Sequence, residues 1–302
     1  MLQIPIHLRC LALLFLLFTT VENFAQRDFS KVEIETQKLT DNIYMLLGSG
    51  GNIGVCVGED GVLMIDDQYA PLSEKIKAAI QTLSKEEITY LINTHWHGDH
   101  SGGNENFAKA GATIVAHKNV RARLSNDQLM KAFSRTVPAA PEAAWPVITF
   151  SSDMTLHFNN EDIIIHHVHN AHTDGDAIIY FSTSNVMHLG DTYFKGRFPF
   201  IDLGSGGSIN GIIEAADKAI FLADEETQII PGHGALSNRA ELMEYRNVLI
   251  TIRDRVKTAM ETGKDIEAIK AAKLTADYDE TWGSGFINGD RLVDFIFTSL
   301  SR

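Results

Sequence analysis

One segment constrains this chain more than any other: Thr94-His95-Trp96-His97-Gly98-Asp99-His100-Ser101-Gly102-Gly103 packs four metal-donor side chains into six positions. Side chains at i and i+2 lie about 200° apart on a helix, so no helix face can gather His95 and His97. The segment instead follows the apolar run Ile88–Ile92, which reads as a strand ending at Asn93 and Thr94. It precedes Gly102-Gly103, where the backbone can turn sharply. In an extended stretch His95 and His97 point to one side. Asp99 and His100, beyond Gly98, face a second point. This arrangement suits two metals close together, His95 and His97 on one, Asp99 and His100 on the other. Imidazole nitrogen and carboxylate oxygen suit zinc, with iron and manganese as alternatives.

Two metals need more than four ligands, and three later loops supply candidates. His172 lies in Asn170–Asp176 after the strand-like run ending at His169. Asp191 closes His188-Leu189-Gly190-Asp191, and His233 sits in Pro231-Gly232-His233-Gly234. Each follows the C-terminal end of a predicted strand in a glycine-containing loop, where catalytic residues concentrate.

The rest of the chain reads as mixed α/β. Strands are expected over Val32–Leu39, Ile43–Leu47, Ile53–Val57 and Val62–Asp66, with a hairpin turn at Glu59-Asp60-Gly61. Pro71 opens a helix with Leu72, Ile76, Ile80 and Leu83 on one face. A helix near Asn104–Ala110 and a strand at Thr113–Ala116 follow. Residues 117–135 read as polar helix and Pro138–Pro146 as irregular. A second run of strands covers Val147–Phe150, Met154–Phe158, Asp162–His169, Ala177–Phe181 and Val186–Leu189. A helix at Ser208–Ala223, a strand at Gln228–Ile230 and a long helix from Asn238 to about Gly263 complete the pattern. Two strand-rich halves, each followed by helices, predict two sheets face to face with helices outside.

With these positions in place, the chain resembles the metallo-β-lactamase-fold zinc hydrolases. Five markers of that family occur in order between about residues 40 and 235: Asp66, the His95–His100 segment, His172, Asp191 and His233. The resemblance implies an αββα sandwich of two mixed sheets. It implies two Zn2+ ions, one held by His95, His97 and His172, the other by Asp99, His100 and His233, with Asp191 bridging both. Asp66 would orient a ligand from behind. Two such zincs would lower the pKa of a shared water toward ~7, and Asp99 would act catalytically by orienting that water and relaying its proton. The implied reaction is hydrolysis of an amide, ester, lactone or thioester.

Asp191 departs from the true zinc β-lactamases, whose largest group carries cysteine there and another group serine. Aspartate at that place resembles glyoxalase-II-type thioesterases and lactonases. The N-terminus points the other way. Residues 1–25 have one early positive charge, Arg9, then an apolar run to Phe18, then a small-residue end at Ala25. That is the layout of a secretory signal peptide, too short in its apolar part for the ~20 residues of a spanning helix. The expectation is therefore an exported, periplasmic or secreted, β-lactamase-like hydrolase. Its single domain would span 26–302, with a helical C-terminal extension from about 238. A lactonase or thioesterase is the alternative, and an iron-dependent oxidoreductase of the same fold stands behind both.

Composition narrows the partners. With 26 Lys+Arg against 39 Asp+Glu the formal charge is −13, which argues against nucleic acid and anionic membrane surfaces and leaves a small-molecule substrate. Lys195, four residues past Asp191, can anchor a substrate carboxylate or stand as a solvated loop lysine. Gly48–Gly54 and Phe198–Gly207 can border the pocket or form ordinary turns. His117, His157, His166, His167, His169 and His188 read as structural, Trp96 as packing beside the ligand loop, and Cys56 as a small buried hydrophobe.

Overall fold

A computed structural model describes residues 28–302, so the expected signal peptide at 1–25 lies outside the described residues. Val32–Arg302 forms one compact unit. Its first four strands, β1 (Glu35–Lys38), β2 (Ile43–Leu47), β3 (Ile53–Gly58) and β4 (Gly61–Ile65), form an antiparallel meander. The tight β3–β4 turn falls at Glu59-Asp60, where the sequence places it. Helix α1 (Ser73–Leu83) then buries Ile76 and Ile80, the apolar face its periodicity predicts. Pro71 lies in the short turn just before it.

Strand β5 (Ile88–Ile92) pairs parallel with β4. Two short helices, α2 (Gly98–Ser101) and α3 (Asn104–Lys109), lead to β6 (Thr113–His117), parallel to β5. Residues 117–135 depart from the helical expectation. Only α4 (Lys118–Leu124) is helical, and a small hairpin of β7 (Gln128–Met130) and β8 (Arg135–Val137) follows. Its turn is made by Lys131–Phe133 and Ser134, which takes a left-handed conformation at φ 47° without glycine or asparagine to signal it. Strand β9 (Ile148–Phe150) pairs with β6 and closes the seven-stranded sheet.

The second sheet runs β10 (Met154–Phe158), β11 (Glu161–His167), β12 (Ala177–Phe181), β13 (Val186–His188), β14 (Gln228–Ile230) and β15 (Ser237–Asn238). It is antiparallel except for the β13–β14 pair. Strand β11 stops at His167, two residues short of the expected end, and His169 stands in the loop. The sheets meet through Ile43, Met45, Leu63, Ile65 and Ile92 on one side and Ile163, Ile165, Ile179 and Phe181 on the other. Cys56 is buried in this layer.

Helices α5 (Ile209–Leu222), α6 (Arg239–Glu261), α7 (Ile266–Ala271), α8 (Ala276–Trp282) and α9 (Gly289–Leu300) cover the outer face of the second sheet. The stripe Leu242, Tyr245, Leu249, Ile252 and Val256 on α6 is buried as its spacing predicts. Arg253 and Arg255 pair with Asp254 and Asp277 at the surface. The mixed α/β sandwich is thus the expected one. No helix among the described residues is long and apolar enough to cross a membrane.

Candidate metal centre

The predicted ligands converge at the C-terminal ends of β5, β13 and β14 and in the loop between β11 and β12. Their donor atoms form two sets: His95, His97, His172 and Asp191, and Asp99, His100 and His233, each set lying within 4.8 Å. The division between His95/His97 and Asp99/His100 follows the backbone. His97 is extended (φ −64°, ψ 146°), and the chain then turns into α2, which swings Asp99 and His100 to the second point. Ser101 Oγ donates to the carbonyls of Trp96 (2.9 Å) and His97 (3.1 Å) and holds that turn closed.

Asp191 joins the sets. Its Oδ1 lies 3.0 Å from His100 Nε2 and 3.3 Å from His233 Nε2, while its Oδ2 lies 3.6 Å from His172 Nε2 and 4.0 Å from His95 Nε2. His172 Nε2 is 2.8 Å from His97 Nδ1, and Asp99 Oδ2 is 3.4 Å from His233 Nε2. One carboxylate oxygen thus faces each group of imidazoles, as a bridging ligand requires.

The electrostatics of the two sets differ. Burial pushes His95 well below the ordinary imidazole value, helped by its neighbours His100 and His172. Burial also brings His172 down to about 4. These rings are neutral and present lone pairs. Burial opposes charge on His100 as well, but Asp191, Asp66 and Asp99 raise it well above its usual value. His233 is raised to about 9, with Asp191 overcoming burial. Burial would lift the Asp191 carboxyl, yet His100 and His233 hold it well below the carboxylate range. Asp99, subject to the same opposition, falls to about 2. The pocket is built to balance two carboxylates with positive charge, which divalent cations supply.

A metal fits an orphaned atom too. His95 Nε2 is buried without a hydrogen-bond partner among the described residues. Buried polar atoms are rarely left so, and coordination would satisfy it.

Groups behind the ligands fix their orientation. Asp66, at φ 61°, accepts from Thr94 N, Thr94 Oγ1 and His100 Nδ1, all at 2.7 Å. These bonds hold Thr94 and the His100 ring from behind. Asp67 N donates to His100 O (2.9 Å) and Asp67 Oδ1 accepts from Gly103 N (2.8 Å), so the adjacent pair clamps both ends of the ligand loop. His172 Nδ1 donates to Phe200 O at 2.8 Å, which presents Nε2 to the metal side.

Asp202 was not expected. Its Oδ2 accepts from His97 Nε2 at 3.0 Å and it also holds Ser205 Oγ at 2.6 Å. Burial raises its carboxyl but the His97 bond outweighs this and brings it to about 2. The only sequence hint was its place in Phe198–Gly207, a loop that does border the site. Asp202→Asn is expected to weaken metal affinity roughly 10–100-fold with the fold retained. Equilibrium dialysis measures it, and unchanged affinity would refute the role.

The glycine-rich Gly48–Gly54 segment also borders the centre. A Cβ on Gly51 would stand on the His100 ring, and one on Gly232 would stand on Asp191 Oδ1. Asn52 Nδ2 donates to the carbonyls of Pro231 (2.8 Å) and Gly234 (2.9 Å), tying this segment to the His233 loop.

The structure places Lys195 otherwise than a carboxylate anchor would need. Its backbone N–H donates to His233 O (3.0 Å), but its Nζ turns to Leu236 O (2.7 Å) and Glu241 Oε2 (2.8 Å). Its charge is therefore already matched. Trp96 packs against His97 at 4.8 Å, beside the ligand loop as expected. His117 is not isolated: its ring stacks on His167 at 3.8 Å, and burial lowers it to about 4. His188 is buried and donates to Asn52 O, a packing role.

Residues 47–233 match the family profile described as Metallo-beta-lactamase superfamily. A hydroxyacylglutathione hydrolase of Polaromonas is 25% identical over 65% of this chain and 71% of its own length. A metallo-beta-lactamase type 2 of Bacteroides fragilis is 19% identical over 72% of this chain and 86% of its own. Among solved structures, a metallo-beta-lactamase from Pontibacter korlensis superposes with a TM-score of 0.60 at 15% identity. It covers 72% of this chain and 99% of the other. An inverting sec-alkylsulfatase from Pseudomonas gives 0.66 at 14% identity, covering 88% of this chain and 50% of the other. At these identities the structural likeness establishes the fold.

Proposed function

The chain belongs to the metallo-β-lactamase superfamily and is a hydrolase of that family, and from this premise we propose that it is an exported dinuclear zinc enzyme that opens amide- or ester-type carbonyl bonds, β-lactams included. The observation that carries the reading is Asp191, with one oxygen toward each group of imidazoles. His95, His97 and His172 would hold one ion, Asp99, His100 and His233 the other. When bound, two zincs would bring a water toward a pKa of ~7 and polarise the scissile carbonyl.

The remaining work falls to side chains. Asp99 is the least buried of the ligand carboxylates, 26% exposed against 6% for Asp191. It therefore faces the substrate side, where it would orient the attacking water and hold its proton. Asp66 and Asp202 keep His100 and His97 in the ligating orientation. Phe200 and Trp96 flank the His97 ring and exclude water from that wall.

A second reading, a thioesterase or lactonase, is favoured by the aspartate at position 191 and by the hydroxyacylglutathione hydrolases among the relatives. A panel on zinc-loaded protein separates the two. It contains a chromogenic cephalosporin, a homoserine lactone, a glutathione thioester and an aryl phosphoester. Fastest turnover of the cephalosporin supports the first reading and of the thioester or lactone the second. Iron in metal analysis, with oxygen uptake, would displace both. His97→Ala is expected to lose metal and activity together while circular dichroism stays native, and full turnover by a metal-depleted variant would refute metal dependence. Export rests on residues 1–25 and is tested by the N-terminus of the protein recovered outside the cytoplasm.

A further inference from the structure

The flanks of the centre are chemically unlike. Beside Asp99 and His233 stands the glycine-rich segment, with Gly51 N donating to Asp99 O at 3.0 Å. Beside His97 and His172 stands a row of aromatic rings. Phe200 stacks on His97 (5.8 Å) and meets His172 edge-on (5.6 Å). Phe133, from the β7–β8 turn, lies 5.3 Å from Phe200, and Phe286, from the loop before α9, lies 5.5 Å from Phe133. The row runs from a buried ring to a solvent-facing one: Phe200 is 8% exposed and Phe286 64%.

Cations gather at its outer end. The Arg291 guanidinium sits over Phe133 (5.6 Å) and Phe286 (5.4 Å), and its Nη2 donates to Ala132 O (3.3 Å). Lys131 is exposed in the β7–β8 turn beside Gly204, and Arg197 is exposed beside Gly285. Among the described residues none of these three has a carboxylate within 4.0 Å. The nearby acids are engaged elsewhere, Asp290 with Lys273 and Asp294 with Lys270. In a chain of formal charge −13, a run of unpaired cations beside the exposed Phe286 ring and the half-buried Phe133 is a local reversal of sign.

The geometry points to an amphiphilic anion as the substrate: its scissile bond at the ligand cluster, its apolar group along Phe200, Phe133 and Phe286, and a negative group against Arg291. This rests on the hydrolase reading above. Apolar area supplies affinity without direction, and the cation fixes which end points outward.

The test is binding by calorimetry to the zinc-loaded protein, with octanoate, acetate and 1-octanol as probes. Octanoate is expected to bind at least ~10-fold more tightly than acetate, as burial of a few methylenes requires. Phe286→Ala should cut that preference ~3-fold or more. Arg291→Gln should weaken octanoate ~3-fold while leaving octanol unchanged. Phe286 is exposed, so its variant does not depend on core packing. Equal binding of acetate and octanoate, or equal effects of both variants on all three probes, would overturn the assignment. An ester series from acetyl to octanoyl on the same proteins distinguishes the two levels. Expected binding with no hydrolysis of any ester, thioester or lactam sinks the hydrolase reading. Hydrolysis without chain-length preference, alongside equal binding, sinks this one alone.

Discussion

Asp191→Asn will leave a folded protein that holds at most one metal and turns over on the order of 10³-fold more slowly, since several kcal/mol of charge stabilisation depend on the second ion. The amide keeps the shape of the carboxylate. It cannot offer an anionic oxygen to each side, and its NH2 would point at imidazoles that are also donors or ligands. The four contacts of Asp191, 3.0 Å to His100, 3.3 Å to His233, 3.6 Å to His172 and 4.0 Å to His95, all depend on that charge. Metal content by mass spectrometry and kcat on the best substrate of the panel are the readouts. Two ions retained with normal turnover would show that Asp191 bridges nothing.

Asp66→Ala is expected to be the most destabilising single change near the centre, at about 3–5 kcal/mol. Asp66 is fully buried and accepts three hydrogen bonds at 2.7 Å, from Thr94 N, Thr94 Oγ1 and His100 Nδ1. Removing it leaves those donors unpaired in the interior. The backbone there is left-handed at φ 61°, a conformation alanine adopts less readily than aspartate, so no strain relief offsets the loss. Urea denaturation measures the change. A shift under about 1 kcal/mol would mean that water replaces the carboxylate. Asp66→Asn, which keeps an acceptor for Thr94 but loses the charge facing His100, should recover part of the stability and less of the metal affinity.

These two residues also show what is legible in a sequence. The His95–His100 segment is self-contained: strand, alternation and Gly98 set both donor directions within a few residues. Asp191 and His233 are readable because each closes a short apolar strand with glycine beside it. Asp202 is not, because its partner His97 lies 105 positions away and meets it only when the 198–207 loop folds back. Lys195 misleads for the same reason. Nothing local announces that Leu236 O, 41 positions on, will take its amine. The β7–β8 hairpin hides in a stretch whose lysines and arginines suit a helix, and its left-handed turn residue is a serine. The apolar alternation that defines the two large sheets has no counterpart there. Local pattern reveals strands and metal donors; the partners brought by loop closure stay hidden until the two halves meet.

That meeting carries a consequence in time. The imidazoles of the first sheet's loops and those of the second's share one cluster, with His100 Nε2 and His233 Nε2 3.4 Å apart across 133 positions of chain. Contacts of such long range form late, because closing the intervening loop is opposed by chain entropy. Each sheet can nucleate from its own hairpins while the full donor set does not yet exist. Capture of an ion by the full donor set would therefore mark the end of folding rather than its beginning. A chain arrested with its sheets undocked would hold ordinary strands and no catalytic power, so activity in this architecture is itself a report that assembly has finished.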